Sequence, residues 1–143
     1  MVLQLPKRTL YAVEAVIDIA GHARPDPVRS KEIAERQGIP RRYLEPVMQQ
    51  LVRAGVLRGV RGPKGGYRLA RERRRITLGA IVRIFMTEEE GGAILGGVAA
   101  PLWRELEAAA LAKLDTVTVE DLCRRAEASG TESGESERSD FSI

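Results

Sequence analysis

The chain has 143 residues, of which 43% are hydrophobic and 30% are charged, which suits one compact domain and argues against global disorder. It has one cysteine, Cys123, so a disulfide framework within the chain is excluded and a reducing cytoplasm is the expected setting. No apolar run approaches the ~20 residues that a membrane-spanning helix needs, and we expect no signal peptide.

The net charge of +3 conceals an asymmetry along the chain. Residues 1–75 hold 17 Lys and Arg against 7 Asp and Glu, a net charge of +10. Residues 76–143 hold 6 against 13, a net charge of −7. A basic first half favours a nucleic-acid partner there, although such charges are often only solvated surface.

The first predicted helix covers residues 7–23, because four apolar residues recur at helical spacing: Leu10, Val13, Ile17 and Ala20. Val16 and Ile19 widen this stripe. Residues 24–27 contain two prolines and are expected to form a loop. A short helix over 31–36 follows, with Ser30 as its N-cap and Gly38 as its C-cap.

A second helix is expected to begin at Pro40 and to end at Gly55. Its core stripe follows the i, i+3, i+4, i+7 rule: Leu44, Val47, Met48 and Leu51. Pro46 lies inside this helix, where proline costs roughly 3 kcal/mol unless the backbone adapts, so we expect a kink or a tightened first turn. A short helix, a glycine turn and a second helix together indicate a helix-turn-helix.

A basic, glycine-rich turn comes directly after this motif. Strand-like runs at 57–60 and 67–70 flank it, and five glycines lie between Gly55 and Gly66, which is typical of a hairpin. Three cations are expected to crowd its tip: Arg61, Lys64 and Arg68. A helix-turn-helix followed by a hairpin predicts a winged helix, a mainly α fold with a small β-hairpin wing.

The second half of the chain is expected to be helical. A helix should begin at Thr77, its N-cap. After the loop 87–100, which carries Glu88 to Glu90, a longer helix at 101–114 has a broad apolar surface that favours a dimer interface: Leu102, Trp103, Leu106, Ala110 and Leu114. Thr118 and Asp121 resemble a capping box.

These elements suggest a division of the chain into four parts. Residues 1–86 are predicted to be a DNA-binding domain, 87–100 a loop, 101–128 dimerisation helices, and 129–143 a disordered tail rich in Ser, Glu and Gly. The last helix is expected to end near Ala128.

In a helix-turn-helix, the N-terminal residues of the second helix face base edges in the major groove. Here the candidates are Arg41, Arg42, Tyr43, Glu45 and Gln49. Arginine can bond guanine in bidentate fashion, and Glu45 could accept from cytosine N4. The alternative for Glu45 is an ion pair with Arg41 or Arg42 on a solvated helix face.

The wing would lie over the adjacent minor groove, where Arg61 or Lys64 can enter a narrow A·T-rich segment. Phosphate contacts that position the protein are expected from Lys7, Arg8, Lys31 and Arg58. The alternative for each of these side chains is ordinary solvated surface.

Three segments together carry a family resemblance: SKEIAERQGIPRRYLE, LVRAGVLRGVRGPKGGYRLAR and RITLGAIV. They resemble the Rrf2 family of bacterial winged-helix regulators, of the IscR and CymR type. The resemblance covers about residues 3–125 and is weaker after the wing. It implies a homodimer that reads a partly palindromic operator, with Arg42 and Glu45 reading bases and Arg61 entering the minor groove. We expect the regulator to be a repressor.

The chain departs from that family at one point. Many members hold an iron–sulfur cluster through three cysteines in the loop before the long helix, and residues 87–100 contain none. Cys123 and His22 cannot supply an ordinary cluster site, so we expect a cluster-free member with no cofactor or metal. Cys123 is either a small buried residue or a redox-sensing thiol whose pKa Arg124 and Arg125 could lower.

No catalytic constellation is visible, so an enzyme is not expected. Two alternatives to a self-contained repressor stay open. One is a protein-interaction module whose winged helix no longer binds DNA. The other is a regulator controlled by a partner enzyme of cysteine metabolism or by a small-molecule effector.

Overall fold

The structure is a computed structural model that describes residues 5–86 and 97–141, with side chains placed through residue 130. Within those ranges it has six α-helices and one hairpin: α1 (Lys7–His22), α2 (Ser30–Gln37), α3 (Arg41–Arg53), β1 (Leu57–Val60), β2 (Gly66–Leu69), α4 (Leu78–Phe85), α5 (Ala100–Leu114) and α6 (Val119–Phe141). This order confirms the predicted winged helix. None of the helices in the described ranges is long and apolar enough to cross a bilayer.

Helix α1 is the centre of the core, because α2, α3, α4, β2 and α6 all pack against it. The apolar residues of its buried face are Ala12, Ala15, Val16 and Ile19, each at 0% exposure. The predicted stripe is therefore confirmed at Val16 and Ile19, whereas its other members are less buried. Leu10 is 45% exposed, and Val13, Ile17 and Ala20 are half-buried. The difference arises because α1 is apolar around most of its circumference, and the small alanines let neighbouring helices approach most closely.

The core stripe predicted for α3 is confirmed, since Leu44, Val47, Met48 and Leu51 are buried. The helix ends in a Schellman motif: Gly55 has φ +78°, and the N–H of Val56 donates to the carbonyl of Leu51 at 3.0 Å. The αL C-cap predicted at Gly38 is also confirmed, with φ 66°. Both glycines supply a backbone conformation that other residues rarely adopt.

Helix α3 begins one residue later than predicted. Pro40 precedes it in an extended conformation with ψ 130°, and Arg41 is the first helical residue. Pro46 lies within a continuous α-helix. Proline has no N–H to donate to the carbonyl of Arg42 one turn earlier, so that first turn loses one helical hydrogen bond.

The wing is an antiparallel pair whose register runs from Leu57 opposite Leu69 to Val60 opposite Gly66. A single residue before α2 extends it: the N–H of Val28 donates to the Tyr67 carbonyl at 3.0 Å, and the Tyr67 N–H donates back at 2.7 Å. The hairpin is thus bonded to the segment between α1 and α2, which the sequence pattern does not reveal.

The beginning of helix α6 packs against the core around α1. The capping box is confirmed, since Thr118 N–H donates to Asp121 Oδ2 at 3.0 Å and Asp121 N–H donates to Thr118 Oγ1 at 3.1 Å. Val119 and Cys123 are buried in the same cluster as α1 and α3. The beginning of α6, predicted to belong with the dimerisation helices, therefore completes the core of the winged helix.

Two further predictions differ from the structure: the N-cap role of Ser30 and the disorder of residues 129–143. Thr77 is the N-cap of α4 as predicted, because its Oγ1 accepts from the Ala80 N–H at 3.1 Å, but Ser30 is the first residue of α2 and makes no cap hydrogen bond. Helix α6 continues to Phe141, through the segment predicted to be disordered. A helical backbone needs only local hydrogen bonds, whereas the Ser, Glu and Gly content of residues 129–143 predicts only that they bury little apolar surface.

A buried ion pair joins α1 to α2. Asp18 is 2% exposed, and its carboxylate accepts from Arg36 Nε at 2.9 Å, Arg36 Nη2 at 2.7 Å and Gln37 Nε2 at 2.9 Å. Burial by itself would raise the pKa of Asp18, but these hydrogen bonds and the Arg36 charge outweigh it and hold the pKa below its usual range.

Candidate nucleic-acid interface

The N-terminal end of α3 presents a basic and aromatic surface. Arg41, Arg42 and Tyr43 are all exposed in its first turn. The Arg42 guanidinium lies 4.7 Å from the centroid of the Tyr43 ring, and its Nη2 donates to the Tyr43 hydroxyl at 2.9 Å. Stacking of this kind limits the conformations of the arginine and leaves its other donors available in an exposed side chain.

Glu45 lies one turn further along and is only half-exposed. Its Oε1 accepts from the Ser30 hydroxyl at 2.7 Å and lies 3.5 Å from Arg41 Nη2. This is the paired arrangement that was the alternative to base reading, with Ser30 as an additional partner. The serine hydroxyl bonds across to α3, which explains why it does not cap its own helix.

The wing tip lies between the strands, at residues 61–65. Arg61 and Lys64 are exposed there, and the Gly65 N–H donates to the Gly62 carbonyl at 2.9 Å. A Cβ on Gly65 would lie 2.3 Å from the Val60 carbonyl oxygen, and one on Gly66 would lie 2.6 Å from the Val28 carbonyl oxygen. These two glycines are required because backbone segments approach too closely for any side chain.

Arg29 connects the tip to the helix-turn-helix. Its Nη2 donates to the Pro63 carbonyl, and Arg29 is the residue directly before α2. No sequence signal identified this residue, because its partner is 34 positions away. An open groove of about 440 Å³ lies beside the wing, and its lining includes Val52 of α3 and Arg61 of the tip.

Arg68 does not contribute to the tip, contrary to the sequence prediction. Its guanidinium donates to the carbonyls of Ala23, at 3.0 Å, and Pro25. The reason is strand register: Arg68 pairs with Arg58, close to the base of the hairpin, rather than with the turn. Arg58, a predicted phosphate contact, is exposed at this base.

The other predicted phosphate contacts differ in environment. Lys7 and Lys31 are exposed in the first turns of α1 and α2, and Gln49 is exposed in the middle of α3. Arg8 is half-buried, and its Nη2 donates to the Phe85 carbonyl at 3.1 Å. Arg8 therefore connects α1 to α4, because this hydrogen bond joins the first turn of α1 to the last residue of α4.

Of the two alternatives for Cys123, the geometry favours the small buried residue over the redox-sensing thiol. The side chain is 5% exposed, and burial raises the pKa of its thiol, with the opposing effect of nearby Arg73 too small to reverse the shift. A reactive thiol needs exposure and a lowered pKa. Cys123 is instead a small core residue.

A second surface of note is α5, which has no buried residue. Leu102, Leu106 and Trp103 are 54%, 43% and 41% exposed, and Ala110 and Leu114 are half-buried. The acidic run Glu88 to Glu90 and most of the loop before α5 lie outside the described residues. Within the described part of the chain, no group of three or more His, Cys, Asp or Glu side chains could hold a metal ion.

Comparison with known proteins gives consistent matches over most of the chain. Residues 5–125 match the Rrf2 family model, described as "Iron-dependent Transcriptional regulator". The HTH-type transcriptional regulator IscR of Vibrio campbellii is 34% identical over 131 residues, which covers 85% of this chain and 78% of that protein.

Solved structures agree with these sequence matches. The T. potens IscR structure superposes with a TM-score of 0.76 at 35% identity and covers 89% of this chain and 90% of that one. CymR, the global cysteine regulator of B. subtilis, superposes with a TM-score of 0.71 at 30% identity, and the match covers 86% of this chain and 98% of that one.

Proposed function

We propose, from the premise that this chain belongs to the Rrf2 family of transcriptional regulators, that it binds a partly palindromic operator as a homodimer and represses transcription. The observation that carries the proposal is the pairing of two exposed basic elements, the first turn of α3 and the wing tip at Arg61. Arg42 would read guanine in the major groove, and Arg61 would enter the minor groove. Repression requires only that the bound dimer occupy a promoter.

The exposed face of α5 supports the homodimer. Leu102, Trp103 and Leu106 lie at i, i+1 and i+4, so they share one side of the helix. A continuous apolar surface of this kind on a small protein marks an association site, and homo-oligomers mostly use two-fold symmetry. A two-fold axis also fits a palindromic operator, since each protomer then faces one half-site.

We further propose that this regulator works without an iron–sulfur cluster. Cluster ligation relies on several thiolates, and the 143 residues of this chain contain one cysteine, which is buried in the winged-helix core. The protein purified without oxygen should therefore be colourless. Stoichiometric iron and sulfide in that preparation would contradict the proposal.

Operator binding is the decisive experiment. Bound sites would first be mapped across the genome, and affinity for one site then measured at several salt concentrations. Each bidentate guanine contact contributes about 1–3 kcal/mol of discrimination, so Arg42→Ala together with Arg61→Ala should weaken operator binding by about 100-fold. Lys64→Ala should weaken all duplexes similarly and lower the salt slope by about one.

Arg125→Ala is the matched control, because Arg125 is an exposed arginine on α6, away from α3 and the wing. It should bind the operator like the unmodified protein. If the double variant produces the same footprint as the unmodified protein, the proposal that this chain binds DNA through Arg42 and Arg61 is wrong. The interaction-module alternative would then become the better account of the fold.

A further inference from the structure

A second cationic site lies at the base of the hairpin. A cleft of about 260 Å³ opens between the C-terminal end of α1, the outer side of the strands and residues 71–73. Five of its lining residues are arginines: Arg24, Arg58, Arg68, Arg71 and Arg73. Ile19 and Leu69 contribute apolar surface to the same cleft. We call it the arginine cleft.

Its positive charge is poorly compensated by the protein itself. Glu72 is the sole acidic residue of the lining, and its carboxylate pairs with Arg74, which is not part of the lining. Arg68 is bonded to backbone carbonyls, and Arg73 Nε lies 4.0 Å from Glu120. Within residues 5–86 and 97–130, the other three arginines of the cleft have no acidic partner.

Like charges gathered in one concave site repel one another, and the repulsion strengthens where protein replaces water. A bound anion would relieve it. Arginine is also the side chain best suited to carboxylate and phosphate, because its planar fork forms two parallel hydrogen bonds. The charge and the donor geometry therefore indicate an oxyanion ligand.

The arginine cleft is separate from the candidate base-reading residues, and it shares only Arg58 with the predicted phosphate contacts. The reading residue Arg42 is at the start of α3, whereas the base of the hairpin follows the far end, about 16 Å away at 1.5 Å per helical residue. Arg61 and Lys64 lie at the opposite end of the wing. Through Arg73, the cleft adjoins α6.

We infer that the arginine cleft binds a small effector carrying at least two carboxylate or phosphate groups, and that this binding changes the affinity of the wing for DNA. A cleft of this volume suits a small metabolite, whose carbon skeleton can rest on Ile19 and Leu69. The inference rests on the proposed function, because it supplies a signal for a regulator that has no cluster.

A chain of contacts connects the cleft to the wing tip. Arg68 holds the carbonyls of Ala23 and Pro25, in the loop that leads to Val28 and Arg29. Val28 is bonded to Tyr67 of the wing, and Arg29 is bonded to the Pro63 carbonyl at the tip. An anion that draws the Arg68 guanidinium away from the loop weakens the support of the tip, so the effector lowers operator affinity.

Calorimetric titration of the full chain tests the site, with citrate and inorganic pyrophosphate as the two probes at constant ionic strength. We expect at least one probe to bind with a Kd below about 1 mM, and Arg24→Gln with Arg71→Gln to weaken that binding at least tenfold. Both arginines are exposed, so the double variant should fold. Arg125→Gln, an exposed arginine outside the cleft, is the control and should bind like the unmodified protein.

Operator binding with and without the bound probe completes the test. The probe should weaken operator binding by the unmodified protein several-fold and leave the Arg24/Arg71 double variant unaffected. Absence of binding by both probes, or equal binding by the double variant, overturns the inference. So does a double variant that binds every duplex more weakly without responding to the probe, since the cleft would then be a DNA-phosphate contact.

The two proposals fail in distinguishable ways. A protein that binds its operator but neither probe refutes the effector site and leaves the regulator intact. A protein that binds a probe but no DNA refutes the proposed function.

Discussion

The winged helix and helix α5 use apolar residues in opposite ways. Helices α1 and α3 each bury an apolar face within the chain, whereas α5, with five leucine and tryptophan residues between Leu102 and Leu114, has no buried residue at all. Apolar content therefore does not decide burial inside one protomer. What decides it is whether another element of the same chain covers the apolar face. Helix α4 contacts α5 but leaves Leu102, Trp103 and Leu106 exposed, and we propose that a second protomer covers them.

The largest expected effect is on association. Leu102→Asp together with Leu106→Asp would place two carboxylates in the proposed interface and remove two leucines, each contributing about 1.5–3 kcal/mol when buried. The dimer dissociation constant should rise by about a thousandfold or more, as measured by sedimentation velocity at micromolar concentration. Glu107→Gln, a polar change on the same helix, should remain dimeric. A monomeric unmodified protein would remove the contrast with α1 and α3.

The second prediction compares a buried leucine of α3 with an exposed leucine of α5. Leu51 is fully buried, so Leu51→Ala should lower the free energy of unfolding by about 3–4 kcal/mol, through lost burial and the cavity left behind. Leu106→Ala, measured by denaturant unfolding at a concentration where the protein is monomeric, should change it by less than about 0.5 kcal/mol. Similar losses for the two variants would show that the Leu106 face of α5 packs within its own chain.

The smallest expected effect concerns pH. Asp18→Asn removes the carboxylate that accepts from Arg36 and should cost about 2–3 kcal/mol at neutral pH, below the range for fully buried pairs because Arg36 is partly exposed. The pKa of Asp18 is lowered in the folded state, so its contribution is complete above the ordinary value of 3.8 and disappears as pH falls through the folded value.

Chemical unfolding between pH 7 and pH 2 checks this prediction. The unmodified protein should lose stability below about pH 4 more steeply than Asp18→Asn does. Asp26→Asn, in the exposed loop between α1 and α2, is the control and should follow the unmodified protein. Parallel acid curves for Asp18→Asn and the unmodified protein would contradict the role assigned to the pair.

Local signals in the sequence predicted most of the elements. Glycines at 38 and 55 end helices because they alone adopt left-handed backbone at low cost, and the Thr118–Asp121 box forms because its partners are three residues apart. Local signals do not predict the tertiary environment of the arginines. Arg61 and Arg68 look alike in the sequence, yet Arg61 is exposed at the tip and Arg68 is bonded to Ala23 and Pro25.

The sequence by itself determined the winged helix, its basic first half and the absence of cysteines for a cluster, because these depend on spacing and composition. The tertiary structure decided which side chains are available for binding. It places Glu45 against Ser30, buries Cys123, bonds Arg29 to the wing and gathers five arginines in one cleft. Those outcomes depend on residues that are distant along the chain, and only folding sets the distances between them.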